Sequence, residues 1–197
     1  MKAIFIFFSL ALIMKRDMGF DNRDILPIDT AIDFLQSPTS KDLVWTESLS
    51  DFRKALLNVD IKTVKQFFEF PILNPGNDIW LVADMKNATR MTPNKIVPFK
   101  ESDFDKHFSD ILATDFRKTF EKVDIEKLSK EKKAESPELK IVSPATSKMK
   151  ASYSESKKTI TLSLITKSPE FGQYTIDYHF RILPSGAIRF THVKFNM

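Results

Sequence analysis

The sequence predicts an α+β domain in which antiparallel C-terminal strands pack on N-terminal helices. Three observations predict it. Tyr174 to Ile182 alternates throughout: Tyr174, Ile176, Tyr178, Phe180 and Ile182 share one face, and Thr175, Asp177, His179 and Arg181 the other. That is the period of a half-buried strand. Pro184-Ser185-Gly186 then supplies a tight turn into a second run, Ala187 to Phe195, and Thr159 to Thr166 alternates before both, giving a three-strand antiparallel meander. Upstream, Phe104, Phe108, Ile111, Leu112, Phe116, Phe120 and Val123 recur at helical spacing. They form an apolar stripe able to cover the inner face of the sheet.

The remaining elements follow in chain order. Met1-Lys2 precedes an apolar run from Ala3 to Met14. A positive start and a run of this length read as a secretory signal over residues 1–19, too short for a spanning helix of about 20 apolar residues. Lys15-Arg16 follows directly, without a clean small-x-small cleavage site, so an uncleaved anchor stays open, as does a buried N-terminal element of a cytoplasmic protein. Residues 20–47 read as an extended lead-in, punctuated by Pro27 and Ser37-Pro38. Residues 48–197 read as the folded domain. Ser50 is the expected N-cap of a helix carrying Phe52, Leu56 and Leu57, and Asp60 caps another with Ile61, Val64, Phe67 and Phe68.

Phe70-Pro71 closes that helix, and Asn74-Pro75-Gly76-Asn77 is a turn. Asp78 to Asp84 is expected to be a short strand, apolar on both faces at its centre. Ser102-Asp103-Phe104-Asp105 resembles a capping box opening the Phe-rich helix, with a break near Thr114. Lys127 to Ser136 is Lys-rich and reads as a solvated helix end or loop. Leu139 to Val142 and Lys148 to Tyr153 begin the sheet region, and Ser154 to Lys157 turns the chain into the strand at Thr159. In the last run Ile188 and Phe190 share a face, but Val193 and Phe195 have the opposite parity. A β-bulge near Thr191-His192 is expected to restore the register.

Composition narrows the chemistry. The chain has 197 residues, 42% hydrophobic and 28% charged, with 18 Phe against 3 Tyr and 2 Trp. Phe brings area without a polar handle, so most of it belongs in the core. With 4 Gly, phosphate-cradling loops have little to be built from, and with no Cys there are no disulfides, thiolate metal sites or cysteine nucleophiles. Half of the net charge of +4 sits in residues 1–19, where Lys2, Lys15 and Arg16 face Asp17. The remainder is a weak case for nucleic acid. The lysines of 127–150 could meet an anionic surface, but no aromatic residue is interleaved in their densest run, and a solvated face is the preferred reading.

The order of helices, a short strand, a helix and then a meander resembles the NTF2-like (cystatin-like cone) superfamily. Val64-Lys65-Gln66-Phe67-Phe68-Glu69-Phe70-Pro71-Ile72, Asp78-Ile79-Trp80 and Pro98 to Phe108 are similar to stretches of uncharacterised secreted Bacteroidetes proteins of this type. The resemblance covers roughly Ser48 to the C-terminus. It implies a curved antiparallel sheet wrapped around helices, extracytoplasmic location, and pairing of two copies through the open sheet face. It carries no catalytic motif onto these residues.

His107, His179 and His192 lack metal-ligand spacing, and no nucleotide fingerprint or nucleophile elbow is present. No metal or other cofactor is expected. His179 and His192 could face each other across the final hairpin. Tyr174 and Tyr178 fall on the predicted inner face and, with Trp80, could line a ligand pocket; ordinary core packing is the competing reading. Asp84 is the one weak candidate for a catalytic carboxylate, against a plain role as a turn residue. Two functions are therefore carried forward. One is an exported, non-catalytic domain binding a small molecule, glycan or protein, with no nucleic acid and membrane contact only through an uncleaved leader. The other is an isomerase- or dehydratase-like enzyme using Asp84 with a tyrosine.

Overall fold

Within the described domain the alternating C-terminal runs form one layer and the Phe-rich stretches pack on it. The computed structural model describes residues 40–88, 91, 95–141, 143–170 and 172–197. The expected leader and the lead-in as far as residue 39 lie outside the described residues. Among the described residues there are seven α-helices: α1 (Ser40–Leu57), α2 (Ile61–Lys65), α3 (Asp78–Ala83), α4 (Met85–Ala88), α5 (Glu101–Ile111), α6 (Thr114–Glu121) and α7 (Ile125–Glu131). Five strands follow: β1 (Lys133–Glu135), β2 (Thr146–Ser154), β3 (Thr159–Ser168), β4 (Gly172–Ile182) and β5 (Ile188–Asn196). They pair antiparallel in sequence order and leave the sheet open, with β1 and β5 at its edges. No helix of the described residues is long and apolar enough to cross a membrane.

Alternation sets the inner face. Ile160, Leu162 and Leu164 on β3 and Ile176, Tyr178 and Phe180 on β4 are buried, and their neighbours of opposite parity face outward. The expected bulge is present. His179 pairs with His192 and Phe180 with Phe190, so Thr191 is the extra residue. Its hydroxyl donates to the His179 carbonyl at 3.0 Å. The extra residue corrects the parity, and Val193 and Phe195 join Ile188 and Phe190 on the inner side.

Edge strand β5 is not left bare. Its outward amides at Ile188, Phe190, Val193 and Phe195 donate to the Ser48 hydroxyl, the Phe67 carbonyl, the Asn74 amide oxygen and the Asp78 carboxylate. An unpaired edge invites association with another strand; here the helical layer occupies it.

Helices α5 and α6 carry the expected stripe. Phe104, Phe108, Ile111, Leu112, Phe116 and Phe120 are all buried, and the chain breaks between the two helices at Leu112-Ala113. Asp60 caps α2 through the Thr63 amide, and Asp103 accepts from the Lys100 amide, so α5 opens just before the expected Ser102.

Four expectations need correction. Asp78 to Ala83 is helix α3, not a strand. A short apolar run does not distinguish the two by periodicity. Burial of Ile79 and Ala83, four residues apart, is helical, and Asp78 suits the positive end of the helix. Helix α1 starts at Ser40, so the lead-in does not extend to residue 47, and Ser50 lies inside the helix with its hydroxyl on the Thr46 carbonyl. Trp45, Leu49, Phe52 and Leu56, spaced four, three and four, bury one continuous face. The Lys-rich stretch does hold a solvated helix end, that of α7, but it continues into edge strand β1, which buries Ala134 between two charged residues. Lys148 to Tyr153 lies in β2 as expected, but the stretch beginning at Leu139 contributes only an isolated bridge from Leu139 to Ser147, and β1 completes the five strands seen among the described residues.

Candidate functional site

The inner face of the sheet is filled at one end and open at the other. At the filled end Phe180 packs edge-on against Phe52, and Phe190 against Phe68 and Phe180. At the other end, where β4 begins and β5 finishes, a partly open cavity of about 490 Å³ remains. Its floor is Leu164, Tyr174, Ile176, Tyr178 and Phe195. Its other walls are Leu81 and Val82 of α3, Met85 of α4, and Asp110, Ala113 and Asp115 around the α5–α6 break. The exposed Met85 and Met197 stand among the lining residues.

Two local features build this space. The bulge at Thr191 turns Phe195 inward, opposite Ile176, where it stacks near Tyr174 with ring centres 5.8 Å apart. The break after Ile111 frees that residue's carbonyl, which accepts the Tyr178 hydroxyl at 2.8 Å. A buried phenol needs such a partner. Burial first, then the Asp115 charge and Tyr174, hold the Tyr178 phenol well above its usual range, so it stays neutral. The same break places Asp110 and Asp115 on either side of it, both on the cavity wall.

Asp115 is held by neutral partners. One oxygen accepts from the Phe116 amide at 2.9 Å and the other from the Ser147 hydroxyl at 3.4 Å. Ser147 in turn meets Thr166 at 3.2 Å in the buried layer. Asp110 is largely exposed and meets His107 Nδ1 at 3.3 Å.

Of the residues expected from sequence, Tyr174 and Tyr178 come together on the cavity floor. Trp80 does not line it. Its indole N–H donates to the Val97 carbonyl at 3.1 Å, and its ring packs on Phe99. Asp84 does not line it either. Its two carboxylate oxygens accept from the Asn87 backbone and side-chain amides, at 3.2 and 2.6 Å. These bonds, backbone first, lower its pKa. Sequence reasoning missed Asp110 and Asp115. The available signal was a pair of carboxylates straddling the expected break near Thr114.

Two other features are excluded as the main site. A groove of about 650 Å³ runs between α1 and α7. It is larger, but its walls mix Asp51, Asp124 and Glu126 with Arg53 and Lys130, and the Arg53 guanidinium is engaged with the Val123 carbonyl. On the outer sheet face His179 and His192 stack at 4.3 Å, with Thr161 and Thr191 hydroxyls on their Nδ1 atoms. Among the described residues, no group of three or more His, Cys, Asp or Glu could hold a metal ion.

The histidine pair has a consequence for stability. Partial burial lowers both pKa values from 6.5; His192 and Lys194 lower that of His179 further, while Asp177 opposes its shift and Asp78 that of His192. A depressed folded-state pKa means that the unfolded chain binds protons first. Stability is therefore expected to be full above pH 6.5 and to fall as pH drops below it. Thermal melts from pH 7.5 to 5 check this: H179Q/H192Q should flatten the decline attributable to the pair.

No family model matches the chain, and no curated protein or solved structure matches it significantly.

Proposed function

We propose that this chain is an exported, non-catalytic binding module of the NTF2-like cone kind, and that its cavity receives a small, largely apolar molecule. The observation that carries the reading is the cavity of about 490 Å³ against Tyr174 and Tyr178. Its volume lies within the usual range for small-molecule sites, as does its character, an apolar wall with a few polar groups. Export rests on the apolar N-terminal run behind Lys2. The cone family rests on the order of helices before an open meander and on the phrases Val64 to Ile72 and Pro98 to Phe108. The binding reading is better supported than the enzymatic one, because the Asp84 carboxylate is engaged with Asn87 and is not among the cavity's lining residues.

The test is titration with the neutral fluorophore N-phenyl-1-naphthylamine. Emission should rise and saturate with the native chain. Ala113→Trp, which places an indole in the cavity, should weaken binding roughly tenfold or more while leaving the melting temperature within a few degrees of the native value. Absence of saturable binding, or equal binding by a folded Ala113→Trp variant, would refute the assignment.

A further inference from the structure

We infer that the ligand of this cavity is a cation: an ammonium or amidinium group carried on an apolar body. The inference rests on the reading of the cavity as a ligand site and adds the charge of its occupant. Among the described residues lining the cavity, the charged side chains are Asp110 and Asp115, both carboxylates. Asp115 is half-buried, and its hydrogen-bond partners are an amide and a hydroxyl. Those dipoles orient the carboxylate without cancelling its charge. Dehydrating an anionic ligand beside these carboxylates would cost Coulomb energy as well as solvation. A neutral ligand that displaced water from the cavity would leave the Asp115 charge less solvated and uncompensated. A cation also sheds water, but its attraction to the carboxylates offsets that cost.

The aromatic wall points the same way. Tyr174, Tyr178 and Phe195 offer ring surfaces on the floor, and ring faces attract cations. Tyr178 cannot serve as an anion's donor, because its hydroxyl is committed to the Ile111 carbonyl. The apolar remainder of the ligand would lie against Leu81, Val82, Leu164 and Ile176, with Met85 adaptable at its side.

Three molecules of one length and different charge test this: octylammonium, octan-1-ol and octanoate, each competed against N-phenyl-1-naphthylamine at pH 7 and low salt. Octylammonium should bind on the order of tenfold tighter than the alcohol, given one ion pair in a partly dehydrated site and a ring contact. Octanoate should bind most weakly. In D110N/D115N the preference should collapse, with octylammonium affinity falling to that of the alcohol in the same variant, since Asn keeps an oxygen for the Phe116 amide but carries no charge. D110N alone should reduce the preference less than D115N, because Asp110 is the more solvated. Alcohol binding without a cation preference, or a preference surviving in D110N/D115N, would overturn the inference and leave the cavity as a ligand site. Failure of all three to displace the fluorophore would overturn the cavity assignment and the inference with it.

Discussion

Phe52→Ala is expected to cost about 3–5 kcal/mol of unfolding free energy. Phe52 is fully buried in α1, and its ring meets Phe67 at 5.1 Å, Phe180 at 5.2 Å, Phe120 at 6.1 Å and Phe68 at 6.5 Å. Those rings come from β4, from α6 and from the segment after α2. One truncation therefore opens a void against three parts of the fold at once. The surrounding rings are held by their own neighbours and cannot collapse into the space, so the cost belongs at the upper end of such substitutions. A domain is typically stable by about 5–15 kcal/mol, so this change should bring it near its limit. Urea unfolding should show a lower midpoint with an unchanged slope. Phe52→Leu, which keeps most of the volume, should lose less than half as much. A loss below about 1 kcal/mol for the alanine variant would mean that the aromatic cluster is not the structural centre.

Asn74→Ala is expected to cost about 2–3 kcal/mol, more than its small volume suggests. Asn74 is 1% exposed. Its side-chain oxygen accepts the Val193 amide at 2.7 Å, 119 residues away in sequence, and its amide donates to the Pro75 carbonyl. Truncation leaves the Val193 amide buried without its partner and uncovers part of the β5 edge. Besides the shift in urea midpoint, the Val193 amide should exchange with deuterium far faster in the variant, while Leu162 at the sheet centre keeps its protection. Unchanged protection at Val193 would show that another group closes this edge.

Much of the architecture is legible in the residues, and each failure has a physical cause. The β4 alternation, the Phe stripe of α5 and α6, and the bulge at Thr191 are all visible because each rests on a long period or on a break in one. Asp78 to Ala83 is too short to show its period, and its apolar side chains meet both the β5 layer and the 95–99 segment. Ser50 looks like an N-cap because hydroxyls favour helix starts, yet the spacing of Trp45, Leu49, Phe52 and Leu56 outweighs that preference. Lys133-Ala134-Glu135 shows no strand signal because an edge strand of this length buries one side chain.

The candidate site is legible only in part. Tyr174 and Tyr178 follow from alternation. Asp110 and Asp115 depend on where the α5–α6 break lands against the sheet, and local spacing does not encode that. Asn74 reads as a turn residue; its bond to β5 is long-range and invisible in the local sequence. Asp84 shows the converse case. A carboxylate at the end of an apolar run reads as free for chemistry, yet the start of α4 uses it.

The cavity itself is tested most directly by NMR, with Leu, Val and Ile methyl groups labelled and octan-1-ol as the neutral occupant. Intermolecular contacts are predicted from the alcohol chain to the methyls of Leu81, Val82, Leu164 and Ile176, which face one another across the space between α3 and the sheet. Contacts to Val123 and Ile125 in the α1–α7 groove, with none to Leu164 or Ile176, would contradict it.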